Sequence, residues 1–126
     1  IKSKNIIYHG KIMQEGKIQA ILQSSDVLVC PSYSEGMPTV IMEAMASGRA
    51  LICTKVPGCN SCIIEGKNGY FCEVSSSDSL KESMQKVINS KDLMPVMGNY
   101  SRKLVEKDLC LDSIFKKYLE VIQTTK

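Results

Sequence analysis

Two glutamates, Glu35 and Glu43, are separated by seven residues in this chain, and Glu43 is the unusual one. Every other side chain in residues 37–48 is apolar, small or a hydroxyl, a pattern that predicts a helix packed against protein on most sides. An ionised carboxylate is costly to bury without partners. Glu43 should therefore either pair with a cation, such as Arg49 or Lys55, or face a cleft and accept hydrogen bonds from a ligand.

The start of the same helix has the residues of an anion site. Pro38 suits the first helical position, Gly36 lets the backbone approach a ligand closely, and Gly48 suits the helix end. The first amides of a helix have no intrahelical acceptor, and they lie at the positive end of the helix dipole. We expect a phosphate group to bind the backbone amides of Gly36, Met37, Thr39 and Val40.

The spacing of these groups fits a nucleotide. At about 1.5 Å per residue, Glu43 lies roughly 7–8 Å beyond the helix start, which matches a ribose whose diphosphate rests on the amides. A carboxylate accepts two hydrogen bonds from a vicinal diol. Glu43 is therefore predicted to hold the ribose hydroxyls, and Glu35 to reach the group beyond the phosphates.

Length and composition predict one domain that covers residues 1–126. With 44% hydrophobic residues the chain can build one modest core. It shows no signal-peptide pattern and no apolar run of roughly 18 residues, so neither a leader nor a membrane span is expected. The net charge of +3 comes mainly from residues 81–126, with nine Lys/Arg against six Asp/Glu. This mild excess favours a solvated face over nucleic-acid binding, and contact with an anionic membrane surface is the alternative.

The six cysteines are interpreted as free thiols in a reducing, cytoplasmic compartment. Cys30, Cys53 and Cys72 fall within or at the ends of predicted core strands, where a thiol acts as a small apolar group. Cys59 and Cys62 have the spacing of a redox or metal pair. No second pair exists, so two ordinary loop residues are favoured over a dithiol or zinc site. No metal is expected.

Hydrophobic patterns predict an α/β order of elements. Apolar runs at residues 27–30 and 50–54, with the Glu35/Glu43 helix between them, predict two parallel strands joined by a right-handed crossover. Further strands are predicted at residues 5–8 and 70–74. Further helices are predicted at residues 14–23, from the cap Asp78 to 89, at 91–109 and at 111–123. The loop at residues 31–39 leaves the carboxyl end of a strand, where ligands bind in doubly wound sheets.

Residues 32–48, which read Ser-Tyr-Ser-Glu-Gly-Met-Pro-Thr-Val-Ile-Met-Glu-Ala-Met-Ala-Ser-Gly, carry a resemblance to a known family, together with Pro57-Gly58 and Glu65-Gly-Lys-Asn-Gly69. They resemble the nucleotide-sugar-binding half of retaining glycosyltransferases of family 4. The resemblance implies a Rossmann-like parallel sheet flanked by helices, forming most of the C-terminal domain of a two-domain GT-B enzyme. Such an enzyme moves a sugar from a UDP- or GDP-sugar to a hydroxyl acceptor in polysaccharide or glycolipid assembly.

The resemblance also implies a role for each matching residue. Glu35 corresponds to the catalytic glutamate near the transferred sugar, and Glu43 to the one that holds the ribose. The loop whose backbone contacts sugar and diphosphate corresponds to Gly36, Met37, Pro38 and Thr39.

The family's basic Arg/Lys pair and its acceptor domain have no match here, so the chain by itself is expected to be inactive. The implied partners are the donor, a saccharide or lipid-linked hydroxyl acceptor, the enzyme's own N-terminal domain and the inner face of the membrane.

Two other functional classes remain open at this stage. One is a flavodoxin-like signalling domain, in which both glutamates are incidental. Such a domain needs acids at strand ends, whereas Asp26 precedes its strand. The other is a nucleotide-sugar epimerase, which shares the two-domain architecture and needs no acceptor. His9 is interpreted as a structural histidine in preference to a contact with the nucleobase.

Overall fold

A computed structural model describes residues 4–14, 16–36 and 38–124. The strands are β1 (Val27–Cys30), β2 (Ala50–Thr54) and β3 (Gly69–Cys72). The helices are α1 (Lys17–Ser24), α2 (Thr39–Ala46), α3 (Pro57–Asn60), α4 (Ser77–Asn89), α5 (Met94–Asp108) and α6 (Leu111–Thr124), with a 3₁₀ turn at Lys91–Leu93. Among these residues, no helix has the length and hydropathy needed to cross a bilayer.

The three strands form one parallel sheet in the order β1-β2-β3. Val27 pairs with Ala50, and Leu51 pairs with Gly69. Gly69 fits because a Cβ at this position would collide with the Leu51 carbonyl oxygen of the neighbouring strand. The parallel pairing of residues 27–30 and 50–54, with a helix between them in sequence, is confirmed.

Alternate residues of β2 point to opposite sides of the sheet and into two cores. Leu51 and Cys53 join the larger core with α1, α2 and α5, whereas Ile52 packs with Val87 of α4. All five β2 residues are buried, as expected for the middle strand of a sheet covered on both faces. The predicted α/β class is therefore confirmed, with helices on both faces of a parallel sheet.

The strand predicted at residues 5–8 is wrong. Ile6, Ile7 and Tyr8 lie in irregular backbone and are 55%, 78% and 91% exposed. An apolar run becomes a strand only when a neighbouring strand pairs with its backbone, and the ladders of the described residues join only β1, β2 and β3. The strand predicted at residues 70–74 exists, but as Gly69–Cys72.

Several predicted helix starts shift for local reasons. The helix predicted at residues 14–23 begins at Lys17, because Gly16 adopts a left-handed backbone with φ 77°. The predicted cap Asp78 lies within the first turn of α4, and Ser76 is the cap, accepting a hydrogen bond from the Ser79 amide at 3.2 Å. The helix predicted at residues 91–109 is divided, because Pro95 is tolerated only in a first helical turn.

Candidate functional site

The loop between β1 and α2 is tied to the carboxyl ends of the strands. The Thr54 hydroxyl, at the end of β2, donates a hydrogen bond to the Ser32 carbonyl. The Ser32 hydroxyl in turn lies 3.4 Å from the Cys30 sulfur. These contacts hold the start of the loop at the carboxyl ends of the strands, the edge of the sheet at which the sequence predicts a ligand.

Gly58 of α3 packs directly against the backbone of the same loop. A Cβ at this position would overlap the carbonyl oxygens of Glu35 and Gly36. A Cβ at Gly36, by contrast, would meet no atom within 4 Å, and Gly36 is exposed. The Pro57-Gly58 segment forms the start of the short helix α3, and its glycine sets the position of the Glu35-Gly36 loop.

The start of α2 presents free amides as predicted, although Pro38 takes a different position. Pro38 is the residue before the helix, with an extended backbone (φ −71°, ψ 118°), and its carbonyl accepts the Ile41 and Met42 amides at 3.0 and 3.4 Å. Its predicted place as the first helical residue is wrong, because ψ remains extended where the loop enters the helix.

The backbone amides of Thr39 and Val40, the first two residues of α2, have no hydrogen-bond acceptor among the described residues. Thr39 and Gly36 are exposed and Val40 is half-buried. Met37 lies outside the described residues. These amides can therefore receive an anion at the helix start.

Glu43 points to the open side of α2. The prediction that protein wraps this helix on most sides is confirmed, because Thr39 and Glu43 are its only exposed residues and Ile41, Ala44 and Met45 are buried. Glu43 lines a cavity of about 280 Å³ between α1, α2 and α5.

The alternative that Glu43 forms a buried ion pair is not supported. Arg49 instead donates to the carbonyls of Ser47 and Ser25, at 2.7 and 2.8 Å. Within residues 4–14, 16–36 and 38–124, the one ion pair joins Arg102 and Glu106 on α5. Glu43 is therefore available to a ligand, which is the second of its two predicted environments.

Sequence reasoning missed the residues that surround Glu43. Gln19 and Gln23 of α1 and Arg102 of α5 line the same cavity. Arg102 also donates to the Ala46 carbonyl at the end of α2, which places a cation where a helix favours one. No signal in the sequence marks these side chains, because their proximity arises from packing between distant segments.

Glu35 is half-buried beside a cluster of thiols. Burial, together with the smaller effects of the neighbouring Cys30, Cys62 and Glu35, raises the pKa of the Cys59 thiol to about 11. Burial likewise raises the pKa of Cys53, Cys62 and Cys72. These thiols therefore remain protonated near neutral pH and serve as apolar core atoms.

The interpretation of Cys59 and Cys62 as ordinary loop residues needs correction, because both are fully buried. Cys59 lies in α3 and Cys62 follows it, with its sulfur 3.9 Å from the Gly58 carbonyl oxygen. All six cysteines are free. In the described part of the chain, His, Cys, Asp and Glu side chains form no group of three that could hold a metal ion.

His9 is exposed and makes no hydrogen bond to any described residue. Its interpretation as a structural histidine is therefore wrong here. Asp26 lies before β1 and lines a cavity of about 440 Å³ with Arg49 and Lys91 at the amino ends of the strands. It is thus at the opposite edge of the sheet from Glu35, which counts against a signalling domain with clustered acids.

The arrangement at this edge of the sheet is suited to a polar, anionic ligand. Free amides at the start of α2 suit a phosphate, and an exposed carboxylate one turn further along suits a diol. Between Thr39 and Glu43 the helix rises about 6 Å. Glu35 stands in the loop before the amides.

Comparison with known proteins shows which family the chain resembles. The family described as "Glycosyl transferases group 1" matches residues 2–104. An uncharacterized glycosyltransferase of Methanocaldococcus jannaschii, MJ1178, is 30% identical over 124 residues, covering 94% of this chain and 35% of the relative. The Escherichia coli enzyme named UDP-Gal:alpha-D-GlcNAc-diphosphoundecaprenol alpha-1,3-galactosyltransferase is 32% identical over 112 residues, covering 79% of this chain and 29% of the enzyme.

A solved structure agrees with these matches. The C-terminal domain of the glycosyl transferase group 1 family protein LpcC from Francisella tularensis superimposes with a TM-score of 0.73 at 28% identity, covering 81% of this chain and 52% of that one. The present chain spans about a third of the length of the curated relatives it matches. The GT-B domain fold expected from the resemblance is confirmed, and the chain belongs to the glycosyl transferases group 1 family.

Proposed function

We propose that this chain is the donor-binding part of a retaining, family 4 glycosyltransferase that moves a sugar from a UDP- or GDP-sugar to a hydroxyl. The observation that carries the proposal is the pairing of free amides at Thr39 and Val40 with the exposed Glu43 one turn further along α2. The name of the E. coli relative, which includes a UDP-sugar, supports a nucleoside diphosphate donor.

Each group would have a distinct task. The diphosphate would rest on the amides of Gly36, Met37, Thr39 and Val40, and the Pro38 carbonyl would anchor the helix behind them. Glu43 would accept hydrogen bonds from the ribose diol. Glu35 would orient the transferred sugar by its hydroxyls and would not attack the anomeric carbon. No metal is required by this arrangement, because amide dipoles and a basic pair from elsewhere would balance the charge of the leaving diphosphate.

The remaining parts of the reaction would come from outside this chain. A saccharide or lipid-linked saccharide acceptor would bind an N-terminal domain, and the relative whose name includes diphosphoundecaprenol supports a lipid-linked substrate. Such an enzyme would work in the cytoplasm, at the inner face of the membrane. The charge excess in residues 81–126 supports peripheral contact there.

The test replaces Glu35 and Glu43 separately by Gln in the full-length enzyme. Hydrogen bonds to a charged group contribute about 1.5–3 kcal/mol, so each variant should lose roughly ten- to hundredfold in kcat/KM. For Glu43→Gln the loss should appear mainly in the donor KM, since the ribose is remote from the reaction. For Glu35→Gln it should appear mainly in kcat.

The control is Glu82→Gln, which removes an exposed carboxylate of α4 outside the proposed site and should leave both constants unchanged. Wild-type kinetics in both site variants would refute their assignment. Omission of the acceptor separates transfer from epimerisation, because an epimerase converts its donor sugar without any acceptor.

A further inference from the structure

A further cavity, of about 240 Å³, lies at the carboxyl ends of the strands. It reaches the ends of all three strands, because Pro31 follows β1, Thr54 ends β2 and Cys72 ends β3. The loop after β1 and the segment that enters α4 supply the rest of its wall. These residues are Tyr33, Glu73, Ser75, Ser76, Ser77 and Leu80.

This cavity and the start of α2 lie at the same edge of the sheet but over opposite faces. The helix α2 packs with Leu51 and Cys53 of β2, whereas α4 packs with Ile52, whose side chain points the other way. The loop after β1 runs between the two sites, since it supplies Tyr33 to the cavity and Glu35 to the proposed donor site. A group bound in the cavity therefore lies beside the loop that would hold the transferred sugar.

Most polar side chains around the cavity have no partner in the described part of the chain. Ser76 is the exception, because its hydroxyl oxygen caps the start of α4. Tyr33 is 77% exposed, so most of its ring is open to a ligand. Four side chains of the wall make no hydrogen bond or ion pair with any described residue, namely Tyr33, Glu73, Ser75 and Ser77. The cavity thus offers an aromatic ring, a carboxylate and hydroxyl groups to a ligand.

The backbone at Ser75 has an uncommon conformation. Its φ of 58° lies in the left-handed region, and among the described residues no other side-chain-bearing residue has a positive φ. Packing does not explain this conformation, because Ser75 is exposed. Backbone strain of this kind occurs preferentially where a protein binds a ligand. The strained residue lies in the wall of the cavity, which agrees with a binding role.

The residues of the wall indicate the class of ligand. Of the residues that line the cavity, none is basic and Glu73 is acidic, so the cavity disfavours phosphate and other anions. A carboxylate accepts hydrogen bonds from a diol, serine hydroxyls donate or accept them, and an aromatic ring packs on the C–H groups of a sugar. The volume is below the roughly 300–1,000 Å³ of sites for drug-sized ligands, which suits a single sugar ring.

We propose that this cavity is a subsite for one uncharged sugar ring of the acceptor saccharide. The inference rests on the proposed function, because the acceptor hydroxyl must reach the sugar that Glu35 would orient. Tyr33 would pack on one face of the acceptor ring, and Glu73 would accept hydrogen bonds from its hydroxyls. The donor-binding part of the enzyme would therefore take part in acceptor recognition together with the N-terminal domain.

The test measures binding of free sugars to the full-length enzyme by saturation-transfer difference NMR, with UDP present to fill the nucleotide site. The probes are glucose, galactose and N-acetylglucosamine, and we expect at least one of them to receive saturation at its ring protons. Tyr33→Ala and Glu73→Gln should each weaken binding of that sugar by roughly tenfold, because they remove the ring contact and the charged acceptor. Tyr33→Phe keeps the ring and should retain most of the signal.

Glu82→Gln is the matched control for Glu73→Gln, since it removes an exposed carboxylate of α4 that does not line the cavity. It should leave the sugar signal unchanged. The UDP dissociation constant should stay within about twofold of wild type in all these variants, which shows that they fold.

Two results would overturn the proposal. One is a signal that is absent for all three sugars, or that Tyr33→Ala and Glu73→Gln leave unchanged. The other is a signal that Glu35→Gln abolishes and Tyr33→Ala retains, which would place the sugar in the donor site. The proposed function fails separately, because it requires UDP to bind the wild-type full-length enzyme whether or not a free sugar binds.

Discussion

At the scale of single residues, Asn68 shows how one buried amide group fixes the segment between α3 and β3. Its side chain is fully buried, its Nδ2 donates to the Cys62 carbonyl at 2.9 Å, and its Oδ1 accepts the Ile64 amide at 2.7 Å. Both backbone groups would be unsatisfied without it. The lysine-asparagine-glycine sequence around it predicts a turn, and the structure adds that the turn is held from inside by this side chain.

Replacement of Asn68 by Ala should therefore destabilise the chain by about 2–4 kcal/mol, since each unsatisfied buried group costs about 1–3 kcal/mol and partial hydration relieves some of it. Urea unfolding measures the change. Asn99→Ala, at an exposed position within α5, serves as the control and should stay within about 0.5 kcal/mol of wild type. Equal stabilities for the two variants would show that the Asn68 hydrogen bonds contribute nothing.

Residue types near the site could be predicted from sequence, but their environments could not. The spacing of Glu35 and Glu43 and the glycine before Pro38 indicate a phosphate and a diol, and the structure leaves the amides and Glu43 open. The sequence left the environment of Glu43 open between an ion pair and a cleft, because α2 has apolar or small residues on nearly every side. Arg102 was not predictable, since 56 positions separate it from its partner Ala46.

At the scale of elements, the site depends on a contact between two backbones. The loop after β1 reaches its position because α3 brings Gly58 against the carbonyls of Glu35 and Gly36. Short-range patterns predicted the three strands of the sheet, because continuous apolar runs bounded by Pro and Gly mark buried parallel strands, but they also predicted a strand at residues 5–8 that is irregular backbone. Helix starts were less predictable, because Gly16, Ser76 and Pro95 each act through backbone geometry or a single hydrogen bond.

Gly58→Ala and Gly36→Ala test this backbone contact from its two sides. A methyl group at position 58 would overlap two carbonyl oxygens, whereas one at position 36 meets no atom within 4 Å. We expect Gly58→Ala to destabilise the chain by about 1–3 kcal/mol as the loop is displaced. Gly36→Ala should leave the free energy of unfolding close to wild type. Urea unfolding of both variants is the measurement, and equal losses would contradict the packing of α3 on the loop.

At the scale of the whole molecule, the helices cover a three-stranded sheet on both faces, and thiols fill the core beneath the proposed donor loop. Cys30, Cys53 and Cys72 lie on three neighbouring strands and Cys59 on α3. Hydrophobic pattern alone placed the strand cysteines in the core. It did not place Cys59 and Cys62 there, because their segment contains Pro, Gly, Asn and Ser and has the composition of a loop.

This thiol core should make the stability of the chain fall in alkaline solution. The pKa of Cys59 rises from 9.0 to about 11 on folding, and that of Cys53 also rises, in both cases chiefly through burial. Above pH 9 the unfolded chain releases thiol protons that the folded chain keeps, so the free energy of unfolding decreases as pH increases. For Cys59 this loss extends from about pH 9 to about pH 11. Lysine and tyrosine titrate in the same range, so the thiol contribution must be isolated by comparison.

Cys53→Val provides the comparison, because valine is similarly small, suits the buried middle strand and carries no proton to lose. Urea midpoints measured between pH 7 and 10.5 should fall more steeply above pH 9 for wild type than for this variant, and the two curves should be parallel below pH 8. A Cys110→Ser variant is the control, since Cys110 lies outside the core and its pKa is lowered by hydrogen bonds from Ser113. It should keep the steep wild-type decline. Parallel curves for wild type and Cys53→Val across the whole range would mean that the buried thiols ionise as readily in the folded chain as in the unfolded one.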